Sequence, residues 1–330
     1  MTYVSTGLIQ ATDFNNFVGN GVSGPNLNAT WNSTYGQTAV PTVVATGVVT
    51  APGYWTSLNA NLAAAATHQG TAITSRTNPT SGAVITVLAN VATDISTVYT
   101  NRFNAASVGT QFTAWTGTAS KTAATGSGAA SWTITFTDTV TFANATAATS
   151  FFGSGGYLQF QFGKSSTGTV ADTEWNAFIG AAGAGGVVAA KVVLTADATS
   201  KNLPTWTAVA GTGKTGGTGT PATLATTLGY NQLTATPATI YKQFDAGTAY
   251  TSNYVQINAS QNAAGVLTLT TTWFDNGDAN PGSTAAISGG TATTGVSFGT
   301  APTTIVTAFP PETTNIANTW GTFSIASSVA

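Results

Sequence analysis

From residue 132 onward the chain repeatedly alternates an apolar side chain with threonine or glutamine, and a period of two fits only an extended strand with one buried face. Trp132, Ile134 and Phe136 alternate with Thr133, Thr135 and Thr137, and Leu158, Phe160 and Phe162 flank Gln159 and Gln161. Val187–Leu194 reads as a more uniformly apolar strand, and Ile240–Phe244, Tyr254–Ala259 and Val266–Phe274 continue the series. Gly155-Gly156 and Asn276-Gly277 are turn signals between them. Short threonine-rich strands at this spacing predict an antiparallel β-sandwich, jelly-roll- or immunoglobulin-like, over 132–330. The glycine-rich stretch from Gly180 to Gly186 is a place where it would divide, so the sandwich reads as one domain or two. Ala171–Ile179, with Trp175 and Phe178, reads as a helix or a covering loop, and Ala210–Pro221 as a surface loop.

The first 115 residues follow a different rule. Residues 7–18 and 47–58 form an internal repeat in which Gly7-Leu8-Ile9-Gln10-Ala11-Thr12-Asp13-Phe14 aligns with Gly47-Val48-Val49-Thr50-Ala51-Pro52-Gly53-Tyr54. Each copy reads as a short extended segment followed by a helix start. Thr50 is the expected N-cap of the second copy, with Pro52 in the first turn, where a missing N–H costs nothing. Tyr54, Trp55, Leu58 and Leu62 have helical spacing up to His68-Gln69-Gly70, and Asn20–Gln37 reads as a loop between the helices. Val84, Leu88, Val91, Ile95, Val98 and Tyr99 predict a further helix at about Ile85–Phe103. Its stripe suits packing within the chain, or against copies of the chain around a symmetry axis. Residues 116–131 are rich in Thr, Ala and Gly and read as a linker. The expected order is a helical docking or oligomerisation region over 1–115, a linker over 116–131, and the sandwich.

Charge narrows the function. Only 5% of residues are charged, against roughly 25% in an average domain. No run reaches the ~18 apolar residues of a membrane-spanning helix. Eight Trp, nine Tyr and sixteen Phe, with a net charge of −2, do not fit disorder. What remains is a folded protein with a Thr, Ser, Asn and Gln surface, poorly protected against self-association and indifferent to salt. Eight Lys and Arg give no basic patch for nucleic acid. With no Cys, disulfides and thiol chemistry are excluded. Met1-Thr2-Tyr3-Val4-Ser5 is no secretory signal, so an extracellular role implies export by another route or release by lysis.

No motif carries chemistry beyond its bland reading, and no catalytic, cofactor or metal residue is expected. Gly213-Lys214-Thr215 lacks the P-loop's first glycine, since position 208 is Ala, and Gly216-Gly217 follow where a helix is needed. Asp275-Asn276-Gly277-Asp278-Ala279-Asn280 spaces oxygens like a calcium loop but lacks the closing Glu, and a turn fits better. His68, the single histidine, is expected to cap a helix C-terminus. Asp172 and Glu174, beside Trp175 and Phe178, are the best glycosidase or sugar-cradle candidate, but they share a face only on a strand. Sequons at Asn28, Asn32, Asn144 and Asn258 arise by chance in so threonine-rich a chain. Trp31, Trp55, Trp115, Trp132, Trp175, Trp206, Trp273 and Trp320 are spread evenly, which favours core positions over an exposed carbohydrate platform.

Several segments resemble virion structural proteins of marine and freshwater tailed phages, cyanophages especially. They are the two N-terminal units with Tyr35-Gly36-Gln37 between them and Trp55, Leu58 and His68-Gln69-Gly70 closing the second, then Ser131-Trp132-Thr133-Ile134-Thr135-Phe136 and Phe151-Phe152-Gly153-Ser154-Gly155-Gly156-Tyr157-Leu158-Gln159-Phe160. Tyr250-Thr251-Ser252-Asn253-Tyr254-Val255-Gln256-Ile257 and Thr272-Trp273-Phe274-Asp275-Asn276 extend it, so the likeness spans most of the chain in one order. The chain has fewer basic and more Ala and Thr residues than the usual members. The resemblance implies a non-enzymatic tail, fibre, neck or head-surface component. Its partners would be copies of itself in a trimer or higher ring, other virion proteins and a host surface glycan, with no nucleic acid and no membrane insertion. Such a protein folds in the host bacterial cytoplasm and leaves by lysis. The competing readings are a bacterial surface-layer or adhesin-like protein and a carbohydrate-binding module.

Overall fold

The computed structural model describes residues 11–19, 24–43, 52–80, 88–104, 115–120, 132–165, 170–179, 191–197, 217–226, 228–245, 252–275, 287–288, 291–292 and 300–330. Four helices come first: α1 (Ala11–Val18), α2 (Leu27–Trp31), α3 (Pro52–Gln69) and α4 (Leu88–Thr100). Helix α3 starts at Pro52, the residue expected in its first turn, while Thr50, the expected N-cap, and the extended halves of the repeat lie outside the described residues. It buries Trp55, Leu58, Leu62, Ala65 and Ala66 along one stripe. Its end is a Schellman turn: Gly70 takes φ +65°, Gly70 N–H donates to Thr67 O at 3.1 Å, and Thr71 N–H reaches back to Ala66 O at 2.8 Å.

The two repeat units meet at their aligned aromatic positions. Phe14 packs edge-on against Tyr54 at 5.7 Å and against Trp55 at 5.4 Å. The expected loop Asn20–Gln37 instead contains α2, capped by Asn26, whose Oδ1 accepts from Ala29 N–H at 2.8 Å. A five-residue helix is too short for a periodic signal, and burial of Leu27, Thr30 and Trp31 holds it. The α4 stripe is spent inside the chain. Val91, Ile95 and Val98 are buried, and α4 packs on α1, α2 and α3.

Amide side chains carry much of the polar bonding in this layer. Asn15 brackets Val43, Asn28 brackets Val40 and Gln37 brackets Ala317, each donating to the backbone carbonyl and accepting from the backbone N–H at 2.8–3.0 Å. A side-chain amide reproduces both halves of a peptide pairing without a charge to desolvate. This is how a chain with so few charged residues satisfies buried extended backbone.

The rest is a β-sandwich. Its strands are β1 (Trp115–Ser120), β2 (Trp132–Phe142), β3 (Tyr157–Ser165), β4 (Lys191–Leu194), β5 (Thr220–Pro221), β6 (Ala238–Phe244), β7 (Tyr254–Gln261), β8 (Val266–Asp275), β9 (Ile287–Ser288), β10 (Thr291–Ala292), β11 (Thr300–Phe309) and β12 (Phe323–Val329). One sheet runs β1-β11-β3-β4 and the other β12-β2-β8-β7-β6-β5, with β9 and β10 a separate ribbon. Every described pairing is antiparallel. Strands β1 and β2 lie in opposite sheets, and their partners β11 and β8 do likewise. That double ribbon is wound as in a jelly roll, from which the β6–β7–β8 meander departs.

One expectation needs correction, and one open alternative is decided. The stretch 116–131 is not linker throughout, because 116–120 belong to β1 and pair with Thr303–Thr307 of β11. Ala171–Ile179 resolves to a helix, α6 (Val170–Ile179). The predicted strand series also stopped short of β11 and β12, and missed helix α5 (Ala145–Gly153), capped by Asn144.

The core is continuous from helices to sheets. Trp175 of α6 stacks on Trp273 of β8 at 5.9 Å and 10°, and Phe162 of β3 meets the same indole edge-on at 6.3 Å, joining the two sheets. Trp31, Trp55, Trp175, Trp273 and Trp320 are all buried, while Trp206 and the side chains of Trp115 and Trp132 lie outside what is described. The helical layer sits close on α5. A side chain at Gly153 would collide with the carbonyl of Thr34, and one at Gly36 with the hydroxyl of Ser150.

Candidate functional site: the outer face of the six-stranded sheet

The described ionisable groups are mostly interior struts. His68 does not cap its helix. Its ring is 1% exposed, with Nδ1 2.7 Å from Glu312 Oε1 and Nε2 2.7 Å from the carbonyl of Ser154. Both ring nitrogens thus face oxygens, one of a carboxyl group and one of a backbone carbonyl. Glu312 also accepts from Thr314 N–H and Asn315 Nδ2–H. The hydrogen bond from His68 leads in holding the Glu312 carboxyl down at about 2, against the opposing pull of burial. Serine, histidine and glutamate thus lie together, yet Nε2 is spent on a carbonyl rather than a hydroxyl, and each residue is 1% exposed. A nucleophile needs substrate access, and these have none.

Arg76 pairs with Asp94, which also accepts from Thr74 N–H at 3.0 Å. Asp275, first residue of the calcium-like run, is buried and accepts from Trp175 Nε1–H at 2.7 Å and Asn253 Nδ2–H at 3.3 Å. The rest of that run, and Gly213-Lys214-Thr215, lie outside the described residues. Asp172 and Glu174 fall on the helix α6, where positions two apart lie on different faces, and not on the strand that would give them a shared one. Asp138, at 0% exposure inside the sandwich, accepts from Ser327, and burial raises its carboxyl to about 6. Among the described residues no cluster of His, Asp and Glu suits a metal ion, and no helix is long and apolar enough to cross a membrane. An open groove along α4 is lined by Pro25, Ala92, Thr93, Ser96, Thr97 and Thr100 and holds no titratable group. The sequon asparagines have partners within the chain: Asn28 and Asn32 bind backbone carbonyls, Asn144 caps α5, and Asn258 accepts from Thr239.

The sheet surface facing away from the core is the distinctive feature. Period two puts Thr133, Thr135, Thr137, Thr139 and Thr141 of β2 on that face while Ile134, Phe136 and Val140 point inward. Register sets Thr135 opposite Thr272, Thr137 opposite Thr270 and Thr139 opposite Thr268. Strand β7 continues the rows with Gln256, Asn258 and Ser260, and β12 with Ser324, Ala326 and Ser328. One end carries Phe274, Tyr254 and Phe244 side by side. Tyr254 stacks on Phe274 at 4.9 Å, and the ammonium of Lys242 lies 3.8 Å above the Tyr254 ring. These ring faces are occupied by one another and by the lysine, which is not the open platform a sugar would stack on. Lys242 is the one charged residue among the described residues of this face. The sequence reading missed the face as a site because alternating threonine signals only a strand; its flat registry appears when β2, β8 and β7 are laid side by side.

No protein-family model, no curated protein and no solved structure matches this chain.

Proposed function

We propose that this protein is a non-enzymatic structural subunit of a tailed-phage virion, a tail-, fibre- or neck-associated component that works through symmetric protein–protein interfaces. The observation that carries the reading is the division of polar labour. His68, Arg76, Asp94, Asp275 and Glu312 are bound to internal partners, while the broad outer sheet face is hydroxyl-rich and, among its described residues, carries only Lys242 as a charge. Such a protein offers surface rather than reactive groups. Binding through repeated symmetric copies needs little affinity per contact. The resemblance of several segments to phage virion proteins points the same way. The test is electron cryo-microscopy of purified particles, with this chain traced into the density. Symmetric copies in the particle are the expected result, and a well-resolved particle without the chain would overturn the reading.

A further inference from the structure

We infer that the threonine face of the six-stranded sheet is a docking surface for the same face of a second copy of this chain. The inference rests on the structural-subunit reading and names the surface that reading would use.

Chemistry comes first. A threonine hydroxyl both donates and accepts, so a file of threonines can pair with an identical file turned about a two-fold axis. Few other polar surfaces are self-complementary in this way; a charged one repels its copy. Among its described residues the face carries a single charge, Lys242, on strand β6 near one edge, so little that is charged must be stripped of water. Threonine is also stiff at χ1, so holding it still costs little entropy.

Size is the second argument. The face spans β12, β2, β8, β7 and β6, which at ~4.8 Å between strands and ~3.3 Å per residue along Thr133–Thr141 gives ~700 Å². Two copies would bury ~1,400 Å² in all, inside the range of stable specific interfaces. The rows through Thr137 and Thr270 lie near the middle of the face, with Asn258 and Ser328 continuing them on either side. The contact is isologous and stands beside any ring contact made by other surfaces.

The experiment is sedimentation velocity on the full chain at micromolar concentration. The wild type is expected to self-associate. Thr137→Lys with Thr270→Lys puts like charges at the centre of the contact and should weaken association roughly a hundredfold. Thr137→Glu with Thr270→Glu should do the same, and mixing the two variants should restore a heterodimer. Ala60→Lys, on the exposed side of α3, should change nothing. The mixing result guards against variants that merely misfold. A monomeric wild type, or a lysine variant that associates normally, overturns this contact. A monomeric wild type that is retained on an insoluble neutral polysaccharide and released by the lysine substitutions overturns it in favour of a glycan face. Presence of the chain in particles is read separately, so this contact and the virion reading fail independently.

Discussion

Asp138 lies at the centre of β2 with its side chain directed into the sandwich between β12 and β8, at 0% exposure. One carboxylate oxygen accepts from Ser327, and the other, Oδ2, is buried without a hydrogen bond. Burial raises the carboxyl to about 6 from an ordinary 3.8. The folded chain therefore holds this proton more tightly than the unfolded chain. Above pH 6 the fold bears the full cost of a buried anion, and the cost fades as pH falls from about 6 toward 3.8. That gap amounts to about 3 kcal/mol. Asp138→Asn keeps the acceptor for Ser327 and removes the titration. Relative to wild type, the variant should be about 2.5 kcal/mol better off at pH 8 than at pH 4, whatever constant offset its amide introduces. Urea unfolding followed by tryptophan fluorescence measures this, since Trp175 and Trp273 are both buried in the same core. Other titrating groups are shared by the two proteins and cancel in the difference. A pH-independent difference, or one that grows toward acid, would refute the reasoning.

Other expectations follow from the same contacts. Glu312 is held below its ordinary 4.5, so its contribution is present above that pH and is lost as the pH falls toward about 2; Glu312→Gln should abolish that part of the acid transition in a fluorescence titration. His68→Ala removes the leading hydrogen bond to the buried Glu312 carboxylate and should cost ~1–3 kcal/mol in urea unfolding. Trp175→Phe retains a ring against Trp273 but strands Asp275 without its indole donor, a loss of ~1–3 kcal/mol by the same assay. Gly153→Ala drives a methyl into the Thr34 carbonyl and should loosen the helical layer, seen as faster limited proteolysis between α1 and α4.

Local patterns in the chain determined the strands with strong alternation, the start and end of α3, and the core placement of most described tryptophans. Period and capping are written in neighbouring residues, so β2, β3, β7 and β8 are legible in the amino-acid sequence alone. Strands β11 and β12 carry the same alternation in weaker letters. Thr303-Thr304-Ile305-Val306-Thr307-Ala308 and Phe323-Ser324-Ile325-Ala326-Ser327-Ser328 contrast small residues with moderate ones, and only pairing with β3 and β2 makes them strands. His68 shows the limit most sharply. Its position at a helix end suggested a cap, but its partner lies 244 residues away, brought to it when the C-terminal segment folds back over the helical layer. The threonine face follows the same logic. Each threonine is chosen locally by the strand it occupies, but a surface exists only once separate strands align in register, because hydrogen bonding between strands, and not sequence adjacency, sets which side chains stand together.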